Sequence, residues 1–161
     1  MILWPVGLSL AIVWQVFQDP AIDYRLVVAG ALLPDLVDAP LGGARVAHAL
    51  VFSVALLTVV MLATRGRRAA RRRLLALPIG TFVHLVLDGM WARAHGFWWP
   101  FLGWRLDGPL PALDHGTVVL VLEELVGALV LVWWWQRFRL GEPAARASFV
   151  RTGRLPRDVA A

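Results

Sequence analysis

Three stretches of this chain, ARVAHALVFSVALLTVVMLAT (44–64), LLALPIGTFVHLVLDGMW (74–91) and TVVLVLEELVGALVLVWWW (117–135), are apolar for close to the full thickness of a bilayer. A hydrocarbon core of about 30 Å takes roughly 20 helical residues, and inside it every backbone polar group must be satisfied within the protein. These segments are therefore expected to be membrane-crossing helices. Composition agrees: 59% of the 161 residues are hydrophobic and only 17% are charged, so a soluble domain of this length would expose too much apolar surface. A further run, MILWPVGLSLAIVWQVF (1–17), lacks a basic leader and a small-x-small cleavage site, and is expected to be an uncleaved fourth span. Residues 23–43 start apolar but carry Pro34, two aspartates and a Pro-Leu-Gly-Gly turn, which reads as a short re-entrant or interfacial helix with Pro34 near its start. The expected fold is all-α: a polytopic transmembrane helical bundle over 1–140, then an Arg-rich flexible tail over 141–161.

The absence of cysteine excludes disulfides, thiolate metal sites and cysteine nucleophiles. A net charge of +5 invites a nucleic-acid reading, but all sixteen basic residues are arginine and their positions argue otherwise. Six lie in RGRRAARRR (65–73) and six more from Arg137 onward. By the positive-inside rule both groups are cytoplasmic, which puts both termini on that side. The Trp-rich elements FWWPFLGW (97–104) and WWWQRF (133–138) then fall at opposite interfaces. Membrane lipid is the expected partner, and no nucleic acid is expected.

The other ionisable residues sort unevenly against this topology. Asp19, Asp23, Asp35, Asp38, Asp88, Asp107, Asp114, Glu123 and Glu124 are all placed on the outward half, with His48, His84, His95 and His115. His84 and Asp88 are four apart and share a helix face. His48 comes level with Asp88 on the neighbouring span, and Asp35 and Asp38 share a face if PDLVD is helical. Asp35, Asp38, His48, His84 and Asp88 are thus a candidate constellation. Imidazole with carboxylate and no sulfur suits zinc, or manganese or iron in a more oxygen-rich geometry, and a spare carboxylate serves as general base or orients a histidine. The competing reading is structural. His84 and Asp88 form a bracing polar pair, His48 reaches toward water, and Asp35 and Asp38 are turn and cap residues around Pro34. Glu123 and Glu124, as neighbours on a helix, face different ways, with one expected to meet the site or a polar partner. His95, Asp114 and His115 read as solvated loop residues.

In that order, GALLPDLVD, RVAHALVFSVAL, HLVLDGMW and FWWPFLGW resemble the YdjM-like family of small bacterial inner-membrane proteins, regarded as metal-dependent hydrolases. The resemblance covers residues 24–104. It implies metal ligation by Asp35, His48, His84 and Asp88, catalytic roles for Asp38 and Asp88, and a phosphoesterase-like activity. The chain departs from the family pattern in GARVAHA, where Gly43 stands in place of a histidine. Arg45, or alternatively Arg25, is the expected contact for a substrate phosphate, since a guanidinium matches its geometry. The leading expectation is an integral membrane hydrolase using a divalent metal, zinc first, on a lipid or lipid-linked phosphoester. The alternative is a non-catalytic membrane protein whose buried His and Asp residues brace the bundle or bind an ion or partner. A transporter is a third reading, weakened by the lack of an internal repeat.

Overall fold

The computed structural model describes residues 1–106 and 116–156, so Asp107, Asp114 and His115 lie outside the described residues. The chain is all-helical: α1 (Leu3–Phe17), α2 (Tyr24–Asp38), α3 (Leu50–Ala63), α4 (Arg68–Leu74), α5 (Ala76–Leu87), a single turn α6 (Ala94–Phe97), α7 (Thr117–Arg137) and α8 (Pro143–Thr152), with no strand among the described residues. Of these, α7 is the helix long and apolar enough by itself to cross a membrane.

The other expected spans are shorter than their apolar runs, for local reasons. The helix expected from residue 44 starts at Leu50, because the Asp38 carboxylate draws the backbone N–H groups of Arg45, Ala47 and His48 into a tight turn, Val46–His48. The helix expected to reach residue 91 stops at Leu87, because Gly89 takes a left-handed conformation (φ 64°) just past it.

Residues 24–38 form one helix that Pro34 does not break. Helix α2 runs alongside α5 in the same direction, with Asp23 beside Arg73 at one end and Asp35 beside His84 at the other. Pro34 stands in the helix interior rather than at its start. Its ring leaves the Gly30 carbonyl, four residues back, without its usual donor. The buried Thr81 hydroxyl of α5 lies 3.2 Å from that carbonyl and 3.1 Å from Leu77 O of its own helix, so its one proton is shared between the two and the neighbouring helix partly offsets the gap.

Two close backbone crossings hold the bundle. At the first, a Cβ on Gly30 would stand 2.1 Å from the Leu77 carbonyl oxygen and one on Gly80 2.3 Å from that of Val27. At the second, Gly7 and Gly127 do the same for α1 and α7, where a Cβ on Gly7 would stand 2.6 Å from the Gly127 carbonyl oxygen. Small residues at such crossings let backbones approach, as in membrane helix pairs. α1 and α7 run parallel, with Leu3 beside Glu124 and Trp14 packed on Phe138 with ring centroids 4.9 Å apart. Glu124 accepts from the N–H groups of Ile2 and Leu3 at 2.8 and 3.1 Å, capping α1 from outside.

The parallel α1 and the full-length α2 correct the expected topology. The N-terminus lies at the end opposite the arginine clusters of 65–73 and the tail, not beside them, because α2 runs back along the bundle beside α5. Asp19 and Asp23 consequently sit among the arginines, with Asp19 paired to Arg72 at 2.6 Å and Asp23 to Arg73 and Arg25 at 2.8 and 2.9 Å. The tail after residue 141 is not flexible throughout. It forms α8 and returns to the body, where Tyr24 N–H donates to Gly153 O, Leu155 N–H to Pro20 O, and Arg25 to Val150 O. Leu155 is buried with Tyr24, Trp14 and Phe138 in the main core, at this same end.

Burial opposes ionisation of Asp19, but hydrogen bonds from Arg72 and the Ala21 N–H and the nearby Arg154 outweigh it and hold the carboxyl below its ordinary 3.8. At Asp23 burial is likewise outweighed, by Arg25 and Arg73. A carboxyl lowered on folding contributes stability that is present above its unfolded value and lost as pH falls through its folded one. Amide protection of Tyr24 and Leu155 is therefore expected to be flat between about pH 5 and 8 and to fall on acidification below the ordinary carboxylate range, as read by hydrogen exchange. Gly80→Ala is expected to destabilise the detergent-solubilised protein by about 1–3 kcal/mol, because backbone stands against backbone. Gly141→Ala, whose added Cβ would meet the Trp135 indole nitrogen at an ordinary 3.7 Å, should leave the melting temperature nearly unchanged.

Candidate metal centre

The five residues singled out in the sequence come together at the end of the bundle remote from the arginines of 65–73 and of the C-terminal tail. Asp35 and Asp38 arrive on the last turns of α2, His84 and Asp88 on the last turn and cap of α5, and His48 in the tight turn before α3. The i, i+4 pairing holds, with His84 Nε2 standing 3.2 Å from Asp88 Oδ2. His48 Nε2 lies 3.4 Å from Asp35 Oδ1 and 3.8 Å from Asp88 Oδ2, and His84 Nε2 lies 3.8 Å from Asp35 Oδ1. One ligand atom from each of Asp35, His48, His84 and Asp88 thus lies within 4.8 Å of all the others.

These atoms are close without being paired. His48 Nε2, His84 Nε2 and Asp88 Oδ2 are buried and have no hydrogen-bond partner among the described residues, and His84 Nδ1 shares that condition. Buried polar atoms left so cost a few kcal/mol each unless something else satisfies them. Ligands about 2.0–2.2 Å from one tetrahedral ion stand ~3.4 Å apart, and the four imidazole–carboxylate separations, 3.2–3.8 Å, bracket that value. With both carboxylates ionised and both imidazoles neutral, the four side chains carry two negative charges, which a divalent cation balances. The group can hold a metal ion.

Asp38 belongs to the site in a different way. It lies outside the four-atom set and accepts at 2.8 Å from His48 Nδ1, which keeps a proton on Nδ1 and leaves Nε2 as the ring atom that faces Asp35 and Asp88. Its oxygens also accept from the N–H groups of Arg45 at 2.7 Å, His48 at 3.1 Å and Ala47 at 3.3 Å. So occupied, this carboxylate orients a ligand rather than serving as a free base. Arg45 supplies one of those N–H groups, and its guanidinium donates to the Leu106 carbonyl. Arg25, the other arginine considered for a substrate phosphate, lies at the opposite end on Asp23 and Val150.

No family model, curated protein or solved structure matches the chain.

Asp35 is the rim of the centre. Its side chain is 22% exposed, whereas those of His48, His84, Asp38 and Asp88 are at most 2% exposed. Of the remaining acids, Glu124 is spent on the α1 N-terminus and Asp19 and Asp23 on arginines, so none of these three joins the centre. His95 is exposed, as expected, and its Nδ1 lies 3.1 Å from the Leu102 carbonyl oxygen. Thr81 was not legible as a contributor. The only signal for it is a proline four residues beyond a glycine in a helix that must have a neighbour. Replacing an orienting carboxylate typically weakens a metal site about 10–100-fold. Asp38→Asn is accordingly expected to lower metal affinity by that factor while saturating at the same stoichiometry, measured by metal titration of the chelator-treated protein.

Proposed function

We propose that this chain is a multi-pass membrane protein whose His/Asp centre binds a divalent metal, zinc before manganese or iron, and hydrolyses a phosphoester of a lipid or lipid-linked substrate. The observation that carries the proposal is the convergence of four ligand atoms from α2, α5 and the 46–48 turn, three of them buried and otherwise unsatisfied. Ionisable groups held inside an apolar helical bundle are costly and are retained for function.

A membrane setting is supported by the exposed apolar faces of α3 and α7, where Val59, Leu62, Val118 and Leu129 are each more than 60% exposed. The arginines gathered at one end support an inward orientation for that end. The centre and the N-terminus would then face outward, with α1, α2, α3, α5 and α7 as traverses. A place in the YdjM-like family, and with it a bacterial inner membrane, fits the ordered motifs and the ligand set.

A divalent metal bound there would bring the pKa of a coordinated water down toward about 7. The residues do the rest. His48 and His84 present neutral Nε2 atoms, Asp38 keeps His48 in the required tautomer, and Asp88 supplies the buried carboxylate. Asp35, at the rim, would take the proton of a water attacking phosphorus and return it to the departing alkoxide as the P–O bond breaks, releasing the alcohol. Substrate would enter past Asp35, where the centre is least buried.

One observation favours a second reading. Four protein ligands fill a tetrahedron, the pattern of closed structural sites, whereas catalytic zinc keeps one position open. In that case the ion clamps α2, α5 and the His48 turn together. Elemental analysis of the detergent-purified protein is expected to give about one equivalent of metal, absent from His84→Ala. Release of the alcohol from lipid phosphoesters should vanish in the same variant. Metal without hydrolysis would establish the closed clamp, and no metal after reconstitution would overturn both.

A further inference from the structure

The end of the bundle opposite the metal centre contains a cavity of about 500 Å³ lined by Arg25, Arg72, Arg73, Arg151 and Arg154 around the buried Asp23. The positive-inside rule accounts for arginines in cytoplasmic loops. It does not account for their meeting at one concavity from three separated parts of the chain, the α2 N-terminus, α4 and the end of α8. Like charges brought together repel, and here the folding of the tail brings them together. Asp23 binds Arg25 and Arg73, and Asp19 binds Arg72. Five guanidinium groups against these two carboxylates leave an excess of three positive charges.

We propose that this cavity is a binding site for a phosphate-bearing anion. Guanidinium groups bind phosphate oxygens through paired, charge-assisted hydrogen bonds. Arg25, Arg72 and Arg73 are held in place by their carboxylates, so part of the site is ordered before the ligand arrives. Arg151 and Arg154 form its outer wall, and both are exposed. The volume lies within the range of small-molecule sites, roughly 300–1,000 Å³, and exceeds what a bare phosphate fills. That favours a phosphate carrying a further group, such as a phospholipid headgroup at the interface. Because α8 supplies part of the wall, an occupied cavity also fastens the tail to α2 and α4. The inference stands apart from the metal centre and does not depend on hydrolysis.

The test uses the full chain in neutral detergent and in nanodiscs, at constant ionic strength set with chloride. Thermal unfolding is followed as inorganic phosphate, or phosphatidylglycerol in a phosphatidylcholine background, is titrated in. The expected result is a saturable rise in melting temperature, with midpoint raised about tenfold in Arg151→Gln/Arg154→Gln, the equivalent of one charge-assisted hydrogen bond lost. Both substituted side chains are exposed, and matching circular dichroism of variant and wild type would confirm that the fold is kept. Saturation by phosphate in detergent identifies a free phosphate compound as ligand. Saturation by phosphatidylglycerol but not phosphate identifies a headgroup, and either result supports the site. A response to both that is unsaturable, or identical in the double variant, would overturn it, as would no response to either.

Discussion

The molecule depends on how closely α2 and α5 cross. At Gly30 and Gly80 each backbone lies against the other with no room for a Cβ, and the Thr81 hydroxyl of one helix reaches the backbone of the other. Little more than one turn beyond that crossing, α2 presents Asp35 and α5 presents His84. The glycines therefore set the separation of two ligands that neither helix could fix alone. A wider crossing would move the carboxylate away from the imidazole by about the thickness of a side chain, more than metal coordination tolerates.

The third component of the centre is held by electrostatics rather than packing. Asp38 gathers three backbone N–H groups and one imidazole nitrogen, so the loop before α3 is shaped around a carboxylate. One residue thereby delays a helix, terminates the approach to it and aims His48. The chain thus divides these two aspartates, three residues apart, by role, with Asp35 toward the shared point and Asp38 behind the histidine. This division follows from their positions on the last turn of α2, where residues three apart share a face but sit at different depths.

The two ends of the bundle are chemically opposite. One concentrates carboxylate and imidazole in a largely buried centre, and the other concentrates guanidinium around an open cavity. Parallel α2 and α5 make this polarity possible, since both deliver their C-terminal carboxylate and imidazole groups to the same side, while α7 ends in Arg137 at the other. Asp19 and Asp23 are exceptions that serve the arginine end, where they offset repulsion and anchor the returning tail.

Helical class, the apolar character of the long helix, the i, i+4 relation of His84 and Asp88 and the identity of the five polar residues were all legible in the sequence. These depend on composition and on the periodicity of a single helix, which local geometry dictates. The tertiary structure decided that Pro34 is spanned rather than broken, because its cost is partly offset by a hydroxyl 47 residues away in the chain. It also decided that α2 runs the length of the bundle beside α5, that the N-terminus lies opposite the two arginine clusters, that the tail docks, and that Asp38 holds His48 while Asp35 faces the shared point. Each of these turns on a contact between segments remote in sequence, and no pattern within one segment encodes which remote partner will satisfy its unpaired groups.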